Sequence, residues 1–431
     1  MRSPSGPRDG GRRSYRGGPR HRAGAAGAKR HLRPTEALQL PPKPIRVLIA
    51  GGGTGGHVVP ALSIAEAVKR RNVQSEILML GSDRGIEAEM VPKAGFELVE
   101  LSVSAAPRRP GMAMVKAGWQ LLAAVRRVRK IIRGFKPDVV VGTGGYVSVA
   151  AIVAARLGKV PVLLQEQNSV PGRANRFLAR FAREVHIHFT ESRRHFKDRG
   201  KLRLSGNPVR IRIPEGRALR TLQKYRLHAD RKTVLVLGGS QGARSLNRAF
   251  CDALAHFRGD RSVQFIIQTG KQDYRKVLEN VRHSGVRVVV KSFITNMEEV
   301  YGVAHLVVAR AGAMTLAEIA ACGLPSILVP YPHAADDHQT ANARALADKD
   351  AAVMLPDKDL TGDSFAEAIR RMLSDDVQLR RMGTHAYALS RPDASRHIAE
   401  AVESLAGASP ESVLNVPEDY DEAEIAREEA N

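Results

Sequence analysis

The sequence predicts an α/β protein with two doubly wound, Rossmann-like domains in series. Short runs of Val, Ile and Leu alternate with longer helical patterns, which is typical of parallel sheets built from βαβ units. The alternation pauses once, at residues 206–231, where prolines and arginines interrupt it. A glycine-rich loop follows the first apolar run on each side of this pause, at residues 51–56 and 238–242. Because ligands of open α/β sheets bind beyond the carboxyl ends of the strands, we expect the two loops to face each other across a cleft.

The predicted strands fall into two series. The first comprises 45–50, 76–81, 138–142, 161–165 and 184–189, and the second 233–237, 263–268, 286–290, 305–309 and 326–330. We therefore predict an N-terminal domain at residues 45–205 and a linker with one short helix at residues 206–231. A C-terminal domain follows at residues 232–407, and its last helix can return to the N-terminal domain. Residues 1–44 and 408–431 are expected to be a disordered basic tail and a disordered acidic tail.

The net charge of +23 lies mostly in the predicted folded part of the chain. Eleven Lys and Arg against two acidic residues give residues 1–44 a charge of +9. Eight acidic residues against one arginine give residues 408–431 a charge of −7, so the remainder carries +21. A region this basic should meet a polyanion, such as nucleic acid, a phosphorylated ligand or an anionic membrane. Aromatic residues make up only 5% and no nucleic-acid-binding module is recognisable, which argues against a nucleic-acid partner.

The cysteine count and the hydropathy pattern limit the compartment. Cys251 and Cys322 are too few for a disulfide framework or a zinc cluster, so we expect a reducing cytosol. The N-terminus lacks the apolar segment of a signal peptide, and no stretch approaches the roughly 18 apolar residues of a membrane span.

The first glycine-rich loop belongs to the segment AGGGTGGHVVPA at residues 50–61. Its glycines permit positive φ and leave no Cβ in the way of a ligand, so the N–H groups of the next helix can face an anion or a sugar. It is not a P-loop, because the first lysine after the glycines is Lys69, too far along the helix. His57 stands at the rim of the loop; the alternative is a Rossmann turn in which His57 caps the helix.

Two further polar motifs follow strands of the first half. GTGGY at residues 142–146 brings Tyr146 to the cleft side, although a tight turn with a surface tyrosine would give the same pattern. QEQN at residues 165–168 directly follows an apolar run, where four polar residues are hard to explain by packing. Its carboxylate and amides, on Glu166 and Asn168 among others, can bind sugar hydroxyls or tune a nearby base.

In the second half, RAGAMTLAE at residues 310–318 runs from a strand end into a helix. An arginine and a small-residue turn at a helix N-terminus suit a diphosphate, and Glu318 can accept hydrogen bonds from ribose hydroxyls. The alternative is a capping box formed by Thr315 and Glu318, and both interpretations can hold together.

Two His and two Asp lie in the loop at residues 333–338, before the next helix. They lack the helical i, i+4 His pair of a typical metal site, so we predict no metal and no cofactor. Polar contacts to a sugar from Gln339 and Asn342 are the favoured interpretation.

The segment 112–136 combines apolar residues, including Trp119, with seven Lys and Arg. An amphipathic basic helix suggests contact with an anionic membrane surface. The alternative is an ordinary helix whose Leu121, Val125, Val128 and Ile132 face the core while its arginines face water.

Together and in this order, these motifs resemble the bacterial family of UDP-GlcNAc-dependent N-acetylglucosaminyltransferases that act on lipid I in peptidoglycan synthesis. The resemblance runs from about Ile45 to about Leu405 and also includes GNPVR at 206–210, GGSQGAR at 238–244 and SFI at 292–294. It implies a GT-B fold, with the acceptor on the N-terminal domain and UDP-GlcNAc mainly on the C-terminal domain. The implied reaction moves GlcNAc, with inversion, to the 4-hydroxyl of MurNAc in undecaprenyl-diphospho-MurNAc-pentapeptide, without a required metal. The implied location is the cytoplasmic face of the cell membrane, as a peripheral protein, with other cell-wall synthesis proteins as further partners.

The resemblance also implies roles for particular residues. His57 is the implied general base, and Glu166 is grouped with it as catalytic. The implied acceptor-side residues are Thr54, Gly55, Gly56, Tyr146 and Asn168. The implied donor-side residues are Arg210, Ser240, Ile294, Arg310, Ala313, Met314, Thr315, Glu318 and Gln339, with the backbone of Ile294 on uracil, Thr315 near the phosphates and Glu318 on the ribose.

The chain departs from the family pattern on the acceptor side. Val149 and Ala150 stand where many members have Gly-Pro, and the loop 104–111 differs from the common glycine-rich sequence. Two alternatives remain: another GT-B enzyme that acts on a glycolipid or a nucleotide sugar, such as an epimerase, and a nucleic-acid-binding protein that would explain the charge.

Overall fold

The computed structural model describes residues 43–83, 85–103, 111–211, 216–239 and 241–408. Nearly all of both predicted tails lies outside these ranges. Ser240 and residues 104–110 of the predicted acceptor loop also lie outside them.

The first sheet is parallel throughout. Its seven strands are β1 (Arg46–Gly51), β2 (Glu76–Ser82), β3 (Glu97–Leu101), β4 (Val139–Gly144), β5 (Val162–Glu166), β6 (Glu184–Ile187) and β7 (Leu202–Leu204). Their order is β3-β2-β1-β4-β5-β6-β7, so the direction of winding reverses between β1 and β4. The central strands are apolar on both faces because helices cover both.

Five α-helices accompany this sheet: α1 (Gly55–Arg71), α2 (Glu87–Lys93), α3 (Met112–Phe135), α4 (Gly145–Gly158) and α5 (Arg173–Leu178). Helices α3, α4 and α5 pack on one face, in a core that includes Leu48, Val128, Ile152 and Leu178. Helices α1 and α2 pack on the other face, around Ile49, Ile64 and Val91.

The second sheet is also parallel. Its strands are β8 (Lys232–Leu237), β9 (Val263–Gln268), β10 (Val288–Lys291), β11 (Leu306–Ala309), β12 (Ser326–Leu328) and β13 (Val353–Met354), in the order β10-β9-β8-β11-β12-β13. The remaining helices are α6 (Ala218–Lys224), α7 (Arg244–Ala253), α8 (Tyr274–Arg282), α9 (Met297–Tyr301), α10 (Ala313–Ala321), α11 (His338–Ala347), α12 (Gly362–Leu373), α13 (Asp376–Ala388) and α14 (Ala394–Leu405). Two clusters of buried apolar side chains cover the faces of this sheet. The predicted class, α/β with two parallel Rossmann-like sheets, is confirmed.

The strand prediction missed β3, β7 and β13. All three lie at or beside sheet edges, where one neighbour is absent and burial is partial. Strand β3 has the sequence ELVEL, and β7 and β13 contain only three and two residues. Such segments do not show the continuous apolar run that marks a central parallel strand.

The last helix, α14, packs against α1 of the first sheet. Its Ile398, Ala399 and Val402 join the same apolar core as α1. Arg71 at the end of α1 donates from Nε to both carboxylate oxygens of Glu403, at 2.9 and 2.8 Å, and lies 3.1 Å from Glu400. The last helix of the described chain therefore follows the second sheet in sequence but packs with the first sheet.

The two halves of helix α3 differ, and each half agrees with one interpretation of segment 112–136. In its C-terminal half Val125, Val128 and Ile132 are buried in the core, as the ordinary interpretation predicts. Its N-terminal half presents exposed apolar side chains, and Trp119 is 67% exposed. No helix within the described ranges has the length and apolar content needed to cross a membrane.

Candidate functional site

The glycine-rich loop after β1 is packed against the first domain on one side and open on the other. A Cβ on Gly51 would lie 2.0 Å from Thr143 Oγ1, so this glycine is required by packing against β4. Gly53 has φ +89°, and nothing within 4 Å would meet a Cβ there; Gly56 faces only its own loop. The loop thus offers a ligand the surface around Gly53 and Gly56, while the first-turn N–H groups of α1, on Gly55 and Gly56, have no partner inside the helix.

A buried carboxylate, which the sequence analysis missed, holds this loop. Glu87 of α2 is 0% exposed, and its oxygens accept hydrogen bonds from Gly53 N–H at 2.9 and 3.1 Å and from Ser82 N–H and Oγ at 2.7 Å. A Cβ on Gly52 or Gly85 would lie 2.3 or 1.9 Å from the Glu87 carboxylate oxygens. These glycines make room for Glu87 rather than for a ligand. The Gly53 N–H is therefore already used by the protein.

His57 lies half-buried at the start of α1, and its ring is oriented by β4. Its Nδ1 is 3.0 Å from the carbonyl oxygen of Thr143 and 3.3 Å from Gln167 Oε1. Because a carbonyl can only accept, Nδ1 carries the hydrogen and Nε2 presents a lone pair. A Cβ on Gly144 would lie 2.6 Å from the ring, so only glycine fits beneath it. The alternative interpretation, in which His57 caps the helix, is wrong, since its ring bonds to Thr143 instead.

Burial lowers the pKa of His57, against an opposing effect of the Glu166 charge. Hydrogen bonds to Thr143 and Gln167 also raise this pKa, and the nearby imidazole of His338 lowers it. The net effect is a ring that is neutral at pH 7. A neutral imidazole with a free Nε2 has the form required of a general base.

Glu166 is buried at the end of β5 and holds the loop that follows. Its Oε1 accepts from Asn168 N–H at 2.9 Å, and its Oε2 accepts from Asn175 Nδ2 at 2.9 Å and from Gly172 N–H at 3.3 Å. Its charge acts on His57 through space. In this structure Glu166 is thus a positioning residue, and direct participation in the chemistry stays a prediction.

The other acceptor-side residues lie around the same strand ends. Thr54 precedes α1 with an extended backbone and an exposed side chain. Tyr146 is exposed in the first turn of α4, directly after Gly144 and Gly145. The loop between β5 and α5 brings Asn168 near the second domain, where its Oδ1 accepts from Asn342 Nδ2 at 3.2 Å.

The donor-side residues gather at the start of α10. Gly312 is the N-cap, and Ala313, Met314 and Thr315 form the first turn, whose N–H groups point away from the helix. The alternative interpretation, a capping box, is wrong, because Thr315 lies inside the helix and Glu318 Oε2 accepts instead from Tyr301 Oη at 3.0 Å. Burial raises the pKa of Glu318 to about 7.

Arg310 lies just before this turn but is held by the protein. Its Nη1 is 2.6 Å from Asp357 Oδ1 and donates to the carbonyl oxygens of Val329 and Pro330 at 3.2 and 3.0 Å. Its Nη2 donates to Ser245 Oγ at 2.6 Å. A diphosphate contact by Arg310 would need rearrangement of these bonds, and it stays a prediction.

The remaining predicted donor contacts lie on other strand ends and loops. Ile294 is buried, and its N–H donates to Gln268 Oε1 at 2.8 Å. Gln268 also donates to the carbonyl oxygen of Gly239 at 3.0 Å, so it joins the glycine loop after β8 to the segment after β10. Gln339 Oε1 accepts from Tyr331 N–H at 2.9 Å. Arg210 lies apart from this group and pairs with Glu66 of α1 at 2.8 Å.

Two buried asparagines join the acceptor side to the donor side. Asn207 donates to the carbonyl oxygens of Gln167 and Ala313, at 3.1 and 3.3 Å. Asn342, which is 0% exposed, accepts from Ser169 N–H at 2.9 Å and donates to the carbonyl oxygen of Ala311 at 3.2 Å. The predicted sugar-binding residue Asn342 thus links the two halves of the site in this structure. Among the described residues no group of three or more His, Cys, Asp and Glu side chains could hold a metal ion.

Known protein families match both halves of the chain. The glycosyltransferase family 28 N-terminal domain matches residues 47–187, and the glycosyltransferase family 28 C-terminal domain matches residues 233–398. A protein from Desulforamulus reducens is 40% identical over 367 residues, which are 84% of this chain and 99% of its own length. It is named UDP-N-acetylglucosamine--N-acetylmuramyl-(pentapeptide) pyrophosphoryl-undecaprenol N-acetylglucosamine transferase.

Solved structures show the same fold. The crystal structure of MurG from Acinetobacter baumannii matches with a TM-score of 0.67 and 28% identity, over 84% of this chain and all of that one. A UDP-GlcNAc 2-epimerase from Neisseria meningitidis, bound to UDP-GlcNAc, matches with a TM-score of 0.60 at 15% identity, over 84% of this chain and all of that one. The predicted GT-B fold is confirmed. The second match shows that the fold alone does not separate transfer from epimerisation.

Proposed function

The chain belongs to glycosyltransferase family 28, and we propose that it transfers GlcNAc from UDP-GlcNAc to the MurNAc 4-hydroxyl of undecaprenyl-diphospho-MurNAc-pentapeptide. The observation that carries this proposal is the tautomer of His57 on the acceptor side, with the hydrogen on Nδ1 and a lone pair on Nε2. Its Nδ1 is committed to Thr143, and within the described part of the chain no group bonds to Nε2. The first turn of α10 stands on the donor side, joined to the loop after β5 by Asn207.

The chemistry follows from these two sides. The 4-hydroxyl oxygen attacks the anomeric carbon of GlcNAc from the face opposite UDP, while Nε2 of His57 takes the hydroxyl proton. The bond from the anomeric carbon to the UDP oxygen breaks, and the configuration inverts. His57 becomes an imidazolium whose charge the nearby Glu166 stabilises.

The leaving group needs stabilisation of the charge that develops on its diphosphate. The N-terminus of α10 carries partial positive charge and free N–H groups, at Ala313, Met314 and Thr315. Glu318, one turn further, can accept hydrogen bonds from the ribose hydroxyls when it is ionised. These groups bind UDP-GlcNAc and stabilise UDP as it departs.

We further propose that the protein works as a peripheral protein at the cytoplasmic face of the membrane. The support is the exposed apolar surface at the start of α3, where Met112, Val115 and Trp119 stand beside exposed Lys116 and Arg126. An apolar surface bordered by cations is suited to an anionic lipid surface, where the acceptor's polyprenyl chain is anchored. Contacts with other cell-wall synthesis proteins belong to the same proposal.

His57→Ala tests the proposal, with His283→Ala, an exposed position directly after α8, as the matched control. We expect kcat for GlcNAc transfer to fall about 100-fold or more, because the general base is lost, while UDP-GlcNAc binding measured by calorimetry is unchanged. The control should match the unaltered protein in both. Equal loss of transfer and donor binding in His57→Ala would contradict the role of His57.

A single comparison separates transfer from epimerisation. An epimerase converts UDP-GlcNAc without an acceptor, whereas the proposed transferase should release UDP only when the lipid acceptor is present. Acceptor-independent turnover of UDP-GlcNAc would favour the epimerase.

A further inference from the structure

A basic groove lies along α5, on the same face of the first sheet as α3 and α4. Its volume is about 720 Å³, and it lies between α5 and the segment 195–201. The lining includes five cationic side chains: Arg173, Arg176, Arg180, Lys197 and Lys201. We call this feature the α5 groove. None of its lining residues is among the site residues described above.

The positive charge of the α5 groove is only partly balanced. Asp198 is the one carboxylate among its lining residues, and it pairs with Lys201 at 3.5 Å. The Arg180 guanidinium instead stacks 4.1 Å from the centre of the Phe177 ring and donates from Nε to the carbonyl oxygen of Phe177 at 3.0 Å. Arg180 and Lys197 therefore face the groove without a carboxylate from the described residues, so the groove suits an anionic ligand.

The α5 groove also has an apolar wall. Phe177 is 45% exposed and packs edge-to-face on Phe181, with ring centres 5.7 Å apart. A purely ionic ligand would gain nothing from this ring. A peptide, in contrast, has side chains that can cover Phe177 while its carboxylate meets the cations.

The groove is connected to the reaction site through α5 itself. Asn175, between Arg173 and Arg176, donates to Glu166, whose charge acts on His57. Two lining residues, Arg173 and Arg176, also lie 3.2 and 3.4 Å from Asp336 in the loop before α11. The groove thus opens beside the junction of the acceptor and donor sides.

We propose that the α5 groove binds the peptide stem of the acceptor, with a peptide carboxylate held by Arg180, Lys197 and Lys201. This inference rests on the proposed function, which supplies an acceptor that carries five amino acids on its MurNAc unit. An extended chain of five residues spans at most about 17 Å, and the helix that lines the groove contacts Glu166 through Asn175. The groove would raise the affinity for the complete acceptor and leave the sugar chemistry to His57.

The test uses the full-length protein and water-soluble acceptors with a short lipid chain. Three acceptors carry the pentapeptide, the same peptide with its carboxylates amidated, or no peptide. The variant Arg180→Gln/Lys197→Gln/Lys201→Gln should raise KM for the pentapeptide acceptor about tenfold. This is the loss of affinity expected when one charge-assisted contact is removed. Its kcat and its KM for UDP-GlcNAc should stay unchanged. Amidation should raise KM of the unaltered protein by the same factor and have no further effect in the variant.

The matched control is Lys271→Gln/Arg275→Gln/Lys276→Gln, which removes equal charge at exposed positions in and beside α8. It should behave like the unaltered protein with all three acceptors. An equal KM change for the peptide-free acceptor, or no change with any acceptor, would overturn the proposal. Weaker sedimentation with anionic vesicles, together with an unchanged KM for the soluble pentapeptide acceptor, would assign the groove to lipid headgroups instead. Failure of the unaltered protein to glycosylate any acceptor would reject the proposed function itself.

Discussion

At the scale of single residues, the site depends on how two buried or half-buried groups are held. The carbonyl of Thr143 sets the tautomer of His57, and Gly144 leaves room for its ring. Glu87 fixes the glycine loop through the N–H of Gly53. Neither arrangement requires a substrate, so the acceptor side is preorganised.

The first residue-scale prediction concerns the pH dependence of kcat. Because burial lowers the pKa of His57 from the ordinary value of 6.5, the ring is already deprotonated at pH 7. At saturating donor, kcat should therefore be level from pH 7 to about pH 8 and fall only below the ordinary histidine pKa, as Nε2 becomes protonated. The measurement is kcat against pH, with donor concentration raised at each pH. An acid limb above pH 7 would contradict a base with a lowered pKa.

The second residue-scale prediction concerns Glu87→Gln. The amide nitrogen of glutamine would replace one acceptor oxygen and face the Gly53 N–H or the Ser82 N–H, which costs about 1–3 kcal/mol. We expect a raised KM for the lipid acceptor with an unchanged KM for UDP-GlcNAc, because only the acceptor-side loop shifts.

Glu89→Gln is the matched control on the same helix, since Glu89 is exposed and pairs with Lys93 at 2.6 Å. If Glu87→Gln lowers thermal stability but leaves the ratio of the two KM values unchanged, Glu87 acts on folding alone.

At the scale of elements, two helices carry most of the expected binding. Helix α10 is the proposed donor-binding helix, with Glu318 one turn after its first residues. Helix α3 has a buried C-terminal half and an exposed apolar N-terminal half. Each helix therefore combines a packing role with a proposed binding role along its length.

The first element-scale prediction is a pH-dependent donor affinity at α10. Burial raises the pKa of Glu318 to about 7, so the carboxyl is mostly protonated at pH 6 and mostly ionised at pH 8. Since the ionised form accepts stronger hydrogen bonds from ribose, KM for UDP-GlcNAc should fall about fivefold between these pH values. Glu318→Gln should abolish the dependence. A KM that rises with pH would show that the protonated carboxyl binds the donor.

The second element-scale prediction concerns membrane association through α3. Trp119→Ala removes a large exposed aromatic side chain and should weaken sedimentation with anionic vesicles about tenfold, since burial of such a side chain contributes roughly 1.5–3 kcal/mol. Transfer to a soluble acceptor should be unchanged. The control is Leu219→Ala on α6, which is equally exposed in the linker. Loss of binding in both variants would indicate nonspecific association.

At the scale of the whole molecule, the two sheets are tied together around the site. Asn207 and Asn342 bridge the loops of the predicted acceptor and donor contacts, and α14 returns from the second half to pack on α1. The reacting groups are thus held by contacts between segments that lie far apart in the chain.

Those distant contacts explain which features the sequence could predict. The strand–loop–helix pattern around His57 and the helix start after Arg310 are local, and both were predicted from glycine placement and apolar runs. The role of Glu87 was missed, because an acidic residue in a short polar segment gives no local sign that three glycines leave space for it: Gly52, Gly81 and Gly85. Arg310 was expected to face a diphosphate, but its partner Asp357 lies far along the chain and could not be inferred from spacing.

The most direct measurement of the central claim is transfer of radiolabelled GlcNAc to a lipid-linked MurNAc-pentapeptide acceptor, with the product analysed by mass and by NMR. We predict a product that is heavier by one GlcNAc, linked to the MurNAc 4-hydroxyl with inverted anomeric configuration, and formed together with one UDP. UDP-GlcNAc that is consumed without the acceptor, or a product with retained configuration, would contradict the account.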